Sequence, residues 1–122
     1  MSRPLEIILA RQWCELLSTP ALIFDGALRL VFFNDAAGLI LGRSFNETGG
    51  LDLDEWRAAF PLDDIPPEGD GLQQALEHGV PTQRTFTIEA LTGRRRVKLT
   101  VWPIDGLTGS RVGLLASLHA VS

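Results

Sequence analysis

Chemistry in this chain of 122 residues rests on few side chains: two histidines, one cysteine, a stretch rich in carboxylates and a short basic run. Neither His78 nor His119 has a carboxylate and a nucleophile at a spacing that builds a hydrolase triad. His78 stands directly before Gly79, at the expected end of a helix. A cation there suits the carboxyl end of the helix dipole. His119 has the opposite strand parity from Leu118 and is expected on the outer face of a sheet. Cys14 is the sole cysteine, so neither an internal disulfide nor a cysteine zinc site can form. It reads as a small apolar residue rather than a reactive thiol.

Between Arg43 and Asp70 lie Glu47, Asp52, Asp54, Glu55, Asp63, Asp64, Glu68 and Asp70. Asp52 and Asp54 have the alternating spacing of calcium-loop ligands, but the residues that follow do not continue an EF-hand pattern. The stretch reads as a solvated acidic face and not as a metal site. Arg94, Arg95, Arg96 and Lys98 form a basic hairpin end. Such an end can meet an acidic partner or a phosphate, and exposed charges there also protect a sheet edge from aggregation.

These side chains need elements to carry them. The length allows one domain, and 45% apolar and 21% charged residues are globular values. Eleven basic against fifteen acidic residues give a net charge of −4, which opposes direct nucleic-acid binding. Ten of the basic residues are Arg and only Lys98 is Lys, a bias compatible with a GC-rich bacterial genome. No apolar run approaches the roughly 18 residues of a membrane span, and no signal-peptide pattern opens the chain. A cytoplasmic location is expected, and Met1 suggests a natural N-terminus.

Ser2 to Leu17 predicts a helix, with Leu5, Ile8, Leu9, Trp13, Leu16 and Leu17 in one apolar stripe at spacings of three and four. Ala21–Asp25 and Leu28–Phe33 predict a hairpin with a loop of about two residues at Gly26. Asn34 or Asp35 caps a short helix over Ala36–Leu41, stopped by Gly42. The next stretch reads as irregular, with a short helix around Leu53–Ala59. A further helix spans Gly71–Glu77 and closes at Gly79. Three strands follow: Thr85–Ala90, one alternating Val97, Leu99 and Val101, and Arg111–Val121. The order predicts an α+β domain: a five-stranded antiparallel sheet with short helices inserted after the second strand and an N-terminal amphipathic helix. That helix must lie on the outer sheet face or pair with a second chain. Trp102 has the wrong parity for the core and is expected on the outer face.

From about Leu17 to Val121 the chain resembles a PAS domain. The resemblance rests on Ile23-Phe24-Asp25-Gly26, then Val31-Phe32-Phe33-Asn34-Asp35-Ala36-Ala37, then Leu41-Gly42. In the last third it rests on Thr92-Gly93, Pro103-Ile104, Gly109 and Val112-Gly113. Leu53-Asp54-Glu55-Trp56 through Phe60-Pro61, with Gly79-Val80-Pro81, is similar to the middle of bacterial PAS modules. The division implied is an N-terminal helix over residues 1–17 and a PAS domain over 18–122.

PAS domains hold a small molecule between sheet and helices, or hold none and pair with other modules. The elements facing that cleft offer Phe32, Leu39, Trp56, Phe60, Leu72, Leu76, Phe86, Ile88, Leu99 and Val101 as a candidate ligand-binding pocket, and the same residues equally suit a packed core. The photoactive flavin class needs an Asn-Cys-Arg phrase after the second strand, where this chain reads Asn34-Asp35-Ala36. Haem-binding members carry an axial His on the helix that His78 ends. No cofactor is assigned. PAS domains that drive an attached output typically end in Asp-Ile-Thr, and Ala120-Val121-Ser122 stands there instead. This departure favours a module that works alone or a piece of a longer signalling protein.

The function implied is a signal-transduction module without catalytic activity, sensing a small ligand or mediating protein–protein interaction. Homodimerisation is expected through Leu5, Ile8, Leu9, Trp13 and Leu16, with a kinase, cyclase or regulator as partner and neither nucleic acid nor membrane. Two alternatives remain. A small isomerase-like enzyme with a cone-shaped cavity needs a buried carboxylate or His as base. A transcription regulator would act through a partner that binds DNA.

Overall fold

The computed structural model describes residues 5–16, 18–59, 62–63, 69–90, 93–106 and 109–121. Helix α1 (Leu5–Leu16) precedes a hairpin of β1 (Ala21–Asp25) and β2 (Leu30–Phe33). Four short helices follow: α2 (Asp35–Leu41), α3 (Phe45–Thr48), α4 (Leu53–Ala59) and, after a two-residue strand β3 (Leu62–Asp63), α5 (Leu72–His78). Strands β4 (Thr82–Ala90), β5 (Gly93–Asp105) and β6 (Arg111–Ala120) form the long meander. The sheet is antiparallel in the order β2-β1-β6-β5-β4-β3. Its five principal strands are those the sequence predicts, and β3 adds a short sixth at the edge of β4.

The β1–β2 loop is longer than expected. Strand β2 starts at Leu30 and not at Leu28. The Asp25 carboxylate accepts from the amides of Ala27 (2.9 Å) and Arg29 (3.0 Å), and this side-chain bonding holds the wider turn. Leu28 there has φ of 60°. A register shift between Ile23 and Phe24 follows in the pairing with β2.

The sheet separates two apolar clusters. On the inner face Leu22, Phe24, Leu30, Phe33, Phe86, Ile88, Leu99, Val101 and Leu114 pack against Ala37, Leu41, Trp56, Leu72 and Ala75 of the inserted helices. On the outer face Ile7 and Cys14 of α1 pack against Ala21, Ile23, Val31 and Phe32. Phe45 of the unpredicted α3 is packed against both clusters, with edge contacts to Phe32 at 5.3 Å and Phe33 at 5.5 Å.

Helix ends explain several polar residues. Asp52 accepts from the Glu55 amide at 2.8 Å, and Glu55 accepts from the Asp52 amide at 3.0 Å, a reciprocal capping box that starts α4. Helix α5 is fixed at both ends to the sheet. The Thr82 hydroxyl donates to the Gly71 carbonyl at 3.0 Å. Arg111 donates to the carbonyls of Leu76 and Glu77 at the other end. Gly42 and Gly79 close α2 and α5 in the left-handed conformation, as their positions predict.

Candidate functional site

Of the ten proposed pocket residues, Trp56, Leu72, Phe86, Ile88, Leu99 and Val101 are buried together on the inner face, and Leu76 packs against them. Trp56 comes from α4 and meets Phe24 edge-on, with ring centroids 5.9 Å apart. Phe60 lies outside the described residues. Two assignments need correction. Leu39 is 79% exposed, because α2 buries Ala37, Gly38 and Leu41 and turns position 39 outward. Phe32 belongs to the outer cluster beneath α1. The β1–β2 register passes from Phe24↔Leu30 to Ile23↔Phe32, which leaves Val31 as the extra residue and sets Phe32 on the outer face.

Helix α1 docks by a face the sequence did not single out. Ile7 and Cys14 are buried and Ala10 packs beside them. The predicted stripe points away from the sheet: Leu5, Ile8, Leu9, Trp13 and Leu16 are exposed, Trp13 to 68% and Leu16 to 85%. Leu9, Gln12, Trp13 and Leu16 line a cavity of about 200 Å³ on this surface. Leu17 lies outside the described residues. Burial pushes the Cys14 thiol above its ordinary range, since a thiolate is poorly solvated there.

Asn34 is where the site elements converge. It is buried, and its side chain hydrogen-bonds to four of the described residues. Its carbonyl oxygen accepts from Ala37 (3.0 Å), capping α2, and from Ala21 (3.1 Å), at the start of β1. Its amide donates to the carbonyls of Cys14 (3.0 Å) and Thr19 (2.8 Å). The cap is legible in the sequence. The tie to α1 is not, because it spans distant segments.

Asp70, read from the sequence as part of a solvated acidic face, is instead a buried carboxylate. One oxygen accepts from the Leu72 amide at 3.2 Å, and the other faces the Arg57 guanidinium at 3.4 Å, joining α4 to α5. Its oxygens are engaged in holding helices, an arrangement unlike that of a poised base. His78 is exposed at the end of α5. His119 is exposed on the outer face, within 3.1 Å of the Ser117 hydroxyl. Trp102 lies on the same face and is 42% exposed.

No protein-family model matches the sequence, and no curated protein matches it. Solved structures do. The PAS domain of BvgS from Bordetella pertussis is similar over 96% of this chain and 87% of that one, with a TM-score of 0.71 and 14% identity. The LOV protein of Rhodobacter sphaeroides is similar over 96% of this chain and 67% of that one, with a TM-score of 0.78 and 16% identity. The PAS domain of the fruit-fly ELK potassium channel is similar over 93% and 95%, with a TM-score of 0.75 and 12% identity. The chain has the PAS fold. Among the described residues no helix is long and apolar enough to cross a membrane.

Proposed function

We propose that this protein is a signal-transduction module that works by contact with other chains, without catalysis of its own, and that it homodimerises through α1. The observation that carries the reading is the division of α1 into two apolar faces. Ile7 and Cys14 dock the helix on the sheet, while Leu5, Ile8, Leu9, Trp13 and Leu16 remain in solvent. A helix face that presents Trp13 beside exposed Leu and Ile side chains suits an isologous two-fold contact. Residues 1–17 then serve as the pairing element and 18–122 as the sensory domain, in the cytoplasm, with a kinase, cyclase or regulator as the receiving partner. The inner cluster around Trp56, Phe86 and Leu99 is where a small apolar ligand would be read.

Sedimentation equilibrium tests the pairing. The wild type is expected as a dimer, and Leu9→Glu as a folded monomer, because a carboxylate at the centre of the stripe loses its solvation on pairing. A monomeric wild type ends this reading.

A further inference from the structure

A cavity of about 280 Å³ opens at the β2 edge of the sheet, between the second half of α1 and the starts of α2 and α3. It takes nothing from Trp56, Phe86 or Leu99 of the inner cluster. Its floor is aromatic: Phe32 and Phe45 meet edge-on, with ring centroids 5.3 Å apart. Its rim carries both signs of charge, Arg11 and Glu15 from α1 and Asp35 from the first position of α2.

Arg11 is held in place by the floor. Its guanidinium carbon lies 4.7 Å from the centre of the Phe32 ring and 5.9 Å from that of Phe45, a cation–π arrangement. Its Nε stands 3.6 Å from Glu15 Oε1, one helical turn on, and both side chains are about half exposed. Such a pair holds weakly. Among the described residues Arg11 makes no other ion pair and no hydrogen bond. Its two terminal nitrogens therefore stay open to a planar anion, which they match as a fork. Asp35 is exposed, and its carboxylate has no partner among the described residues.

An open guanidinium fork and an open carboxylate thus face one small space. Drug-sized ligands take cavities of roughly 300–1,000 Å³, so this one suits a smaller occupant. A simple anion here meets repulsion from Glu15 and Asp35, and a simple cation meets it from Arg11. A molecule with one charge of each sign satisfies both, and the ring floor favours an apolar group beside them.

We propose that this cavity binds a small zwitterion of the free α-amino acid class with an apolar side chain. The ligand carboxylate accepts from Arg11, its ammonium donates to Asp35, and its side chain lies against Phe45. An occupant there bridges α1 to the starts of α2 and α3, so binding also holds α1 on the sheet by mass action. The exposed stripe residues of α1 do not line the cavity, and the inference stands apart from pairing through that stripe.

The test titrates the full chain with L-leucine, N-acetyl-L-leucine and L-leucinamide and follows its amide spectrum. L-Leucine is expected to shift the Asp35 and Phe45 signals saturably and to slow exchange of the α1 amides. N-Acetyl-L-leucine lacks the ammonium and L-leucinamide lacks the carboxylate, and each is expected to bind about tenfold more weakly or worse. Asp35→Asn and Arg11→Gln should each weaken L-leucine binding by about tenfold or more, with signals away from the cavity unchanged. Asp35→Asn alters an exposed side chain and keeps the test decisive if Arg11→Gln loosens α1. No saturable shift, equal affinity for either derivative, or undiminished binding by Asp35→Asn overturns the inference. So do shifts centred on Trp56 and Phe86, which place leucine in the inner cluster. Displacement of L-leucine by inorganic phosphate at equal concentration reduces the cavity to an anion site and overturns it as well.

Discussion

The side-chain amide of Asn34 donates to the main-chain carbonyl of Cys14 at 3.0 Å, across twenty residues of chain. Cys14 lies in the last turn of α1, where carbonyls lack helical partners. Asn34 thereby ends one helix while its oxygen starts another, α2, by accepting from Ala37. One buried side chain sets the position of α1 on the sheet and the start of the inserted helices. Movement of α1 and movement of α2 are therefore linked at a single residue.

Asn34→Asp should separate these roles. An aspartate keeps the oxygen that accepts from Ala21 and Ala37 but loses the donor to Cys14 and Thr19. The α1 amides should then exchange faster while the sheet stays protected. Asn34→Ala removes these side-chain bonds and should cost about 2–4 kcal/mol by urea unfolding, given a lost cap and buried groups left unsatisfied. Equal protection of α1 in the wild type and in Asn34→Asp would show that the Cys14 bond does not hold the helix.

Gly113 should resist substitution for a related reason. A Cβ there would stand 2.6 Å from Ile7 Cδ1 and would also press on the Phe24 carbonyl oxygen. The glycine lets Ile7 of α1 approach the sheet between β1 and β6. Gly113→Ala should destabilise the protein by about 1–3 kcal/mol, the range for overpacking. A double change with Ile7→Ala should cost less than the sum of the single changes, because the shortened side chain relieves the clash. Additive costs would place the strain elsewhere.

Much of this architecture is legible in the sequence, and its gaps have physical causes. Period-two alternation in Val97, Leu99 and Val101 and in Leu114, Ala116 and Leu118 gives β5 and β6 with the correct inner face, whereas Val112, expected on that face by the same alternation, packs with the outer cluster past a register shift. Gly42 and Gly79 mark helix ends through their backbone freedom. Helix α3 is hidden because a four-residue helix shows no period. The docking face of α1 is hidden because its buried members, Ile7, Ala10 and Cys14, are fewer and smaller than the exposed Leu and Trp residues. Hydrophobic spacing picks out the larger stripe, and here that stripe faces solvent. Phe32 is misplaced by a register shift that simple alternation cannot express. Asp52 and Glu55 do carry a local signal, the three-residue spacing of a capping box, which accounts for them without a metal.

That capping box gives a local prediction. Asp52→Ala should cost about 1 kcal/mol by removing the acceptor for the Glu55 amide at the start of α4. Asp52→Ser should recover most of the loss, because serine caps by the same geometry. Failure of serine to recover stability would assign the loss to charge and not to capping.

Cys14 should be silent in the native state. Burial raises its thiol above the ordinary value of 9.0, so the folded protein holds the proton where the unfolded chain releases it. The contribution to stability is complete below pH 9 and is lost as pH rises through the folded-state value. Unfolding free energy measured from pH 7 to pH 10 should therefore fall more steeply in the wild type than in Cys14→Ala. Alkylation at pH 8 should follow the opening of α1, so Asn34→Asp should react faster than the wild type. Parallel pH profiles for the wild type and Cys14→Ala would place the titration outside this residue.

Trp56 distinguishes a filled interior from a receptive one. It is buried to 1% exposure with its ring edge-on to Phe24. Trp56→Ala should cost about 3–5 kcal/mol, since the helices inserted between β2 and β4 can only partly collapse onto the space. The residual cavity is lined by apolar groups, and apolar cavities of that kind take small apolar guests. Indole should then raise the melting temperature of Trp56→Ala by mass action, with the gain growing with concentration. The response of the wild type separates the two readings of the inner cluster. If indole leaves its melting temperature unchanged, Trp56, Phe86 and Leu99 act as packed core, and any sensing falls to sites outside it. If the wild type is stabilised as well, the interior accepts a ligand beside Trp56, and variants at Leu99 or Phe86 should change that response.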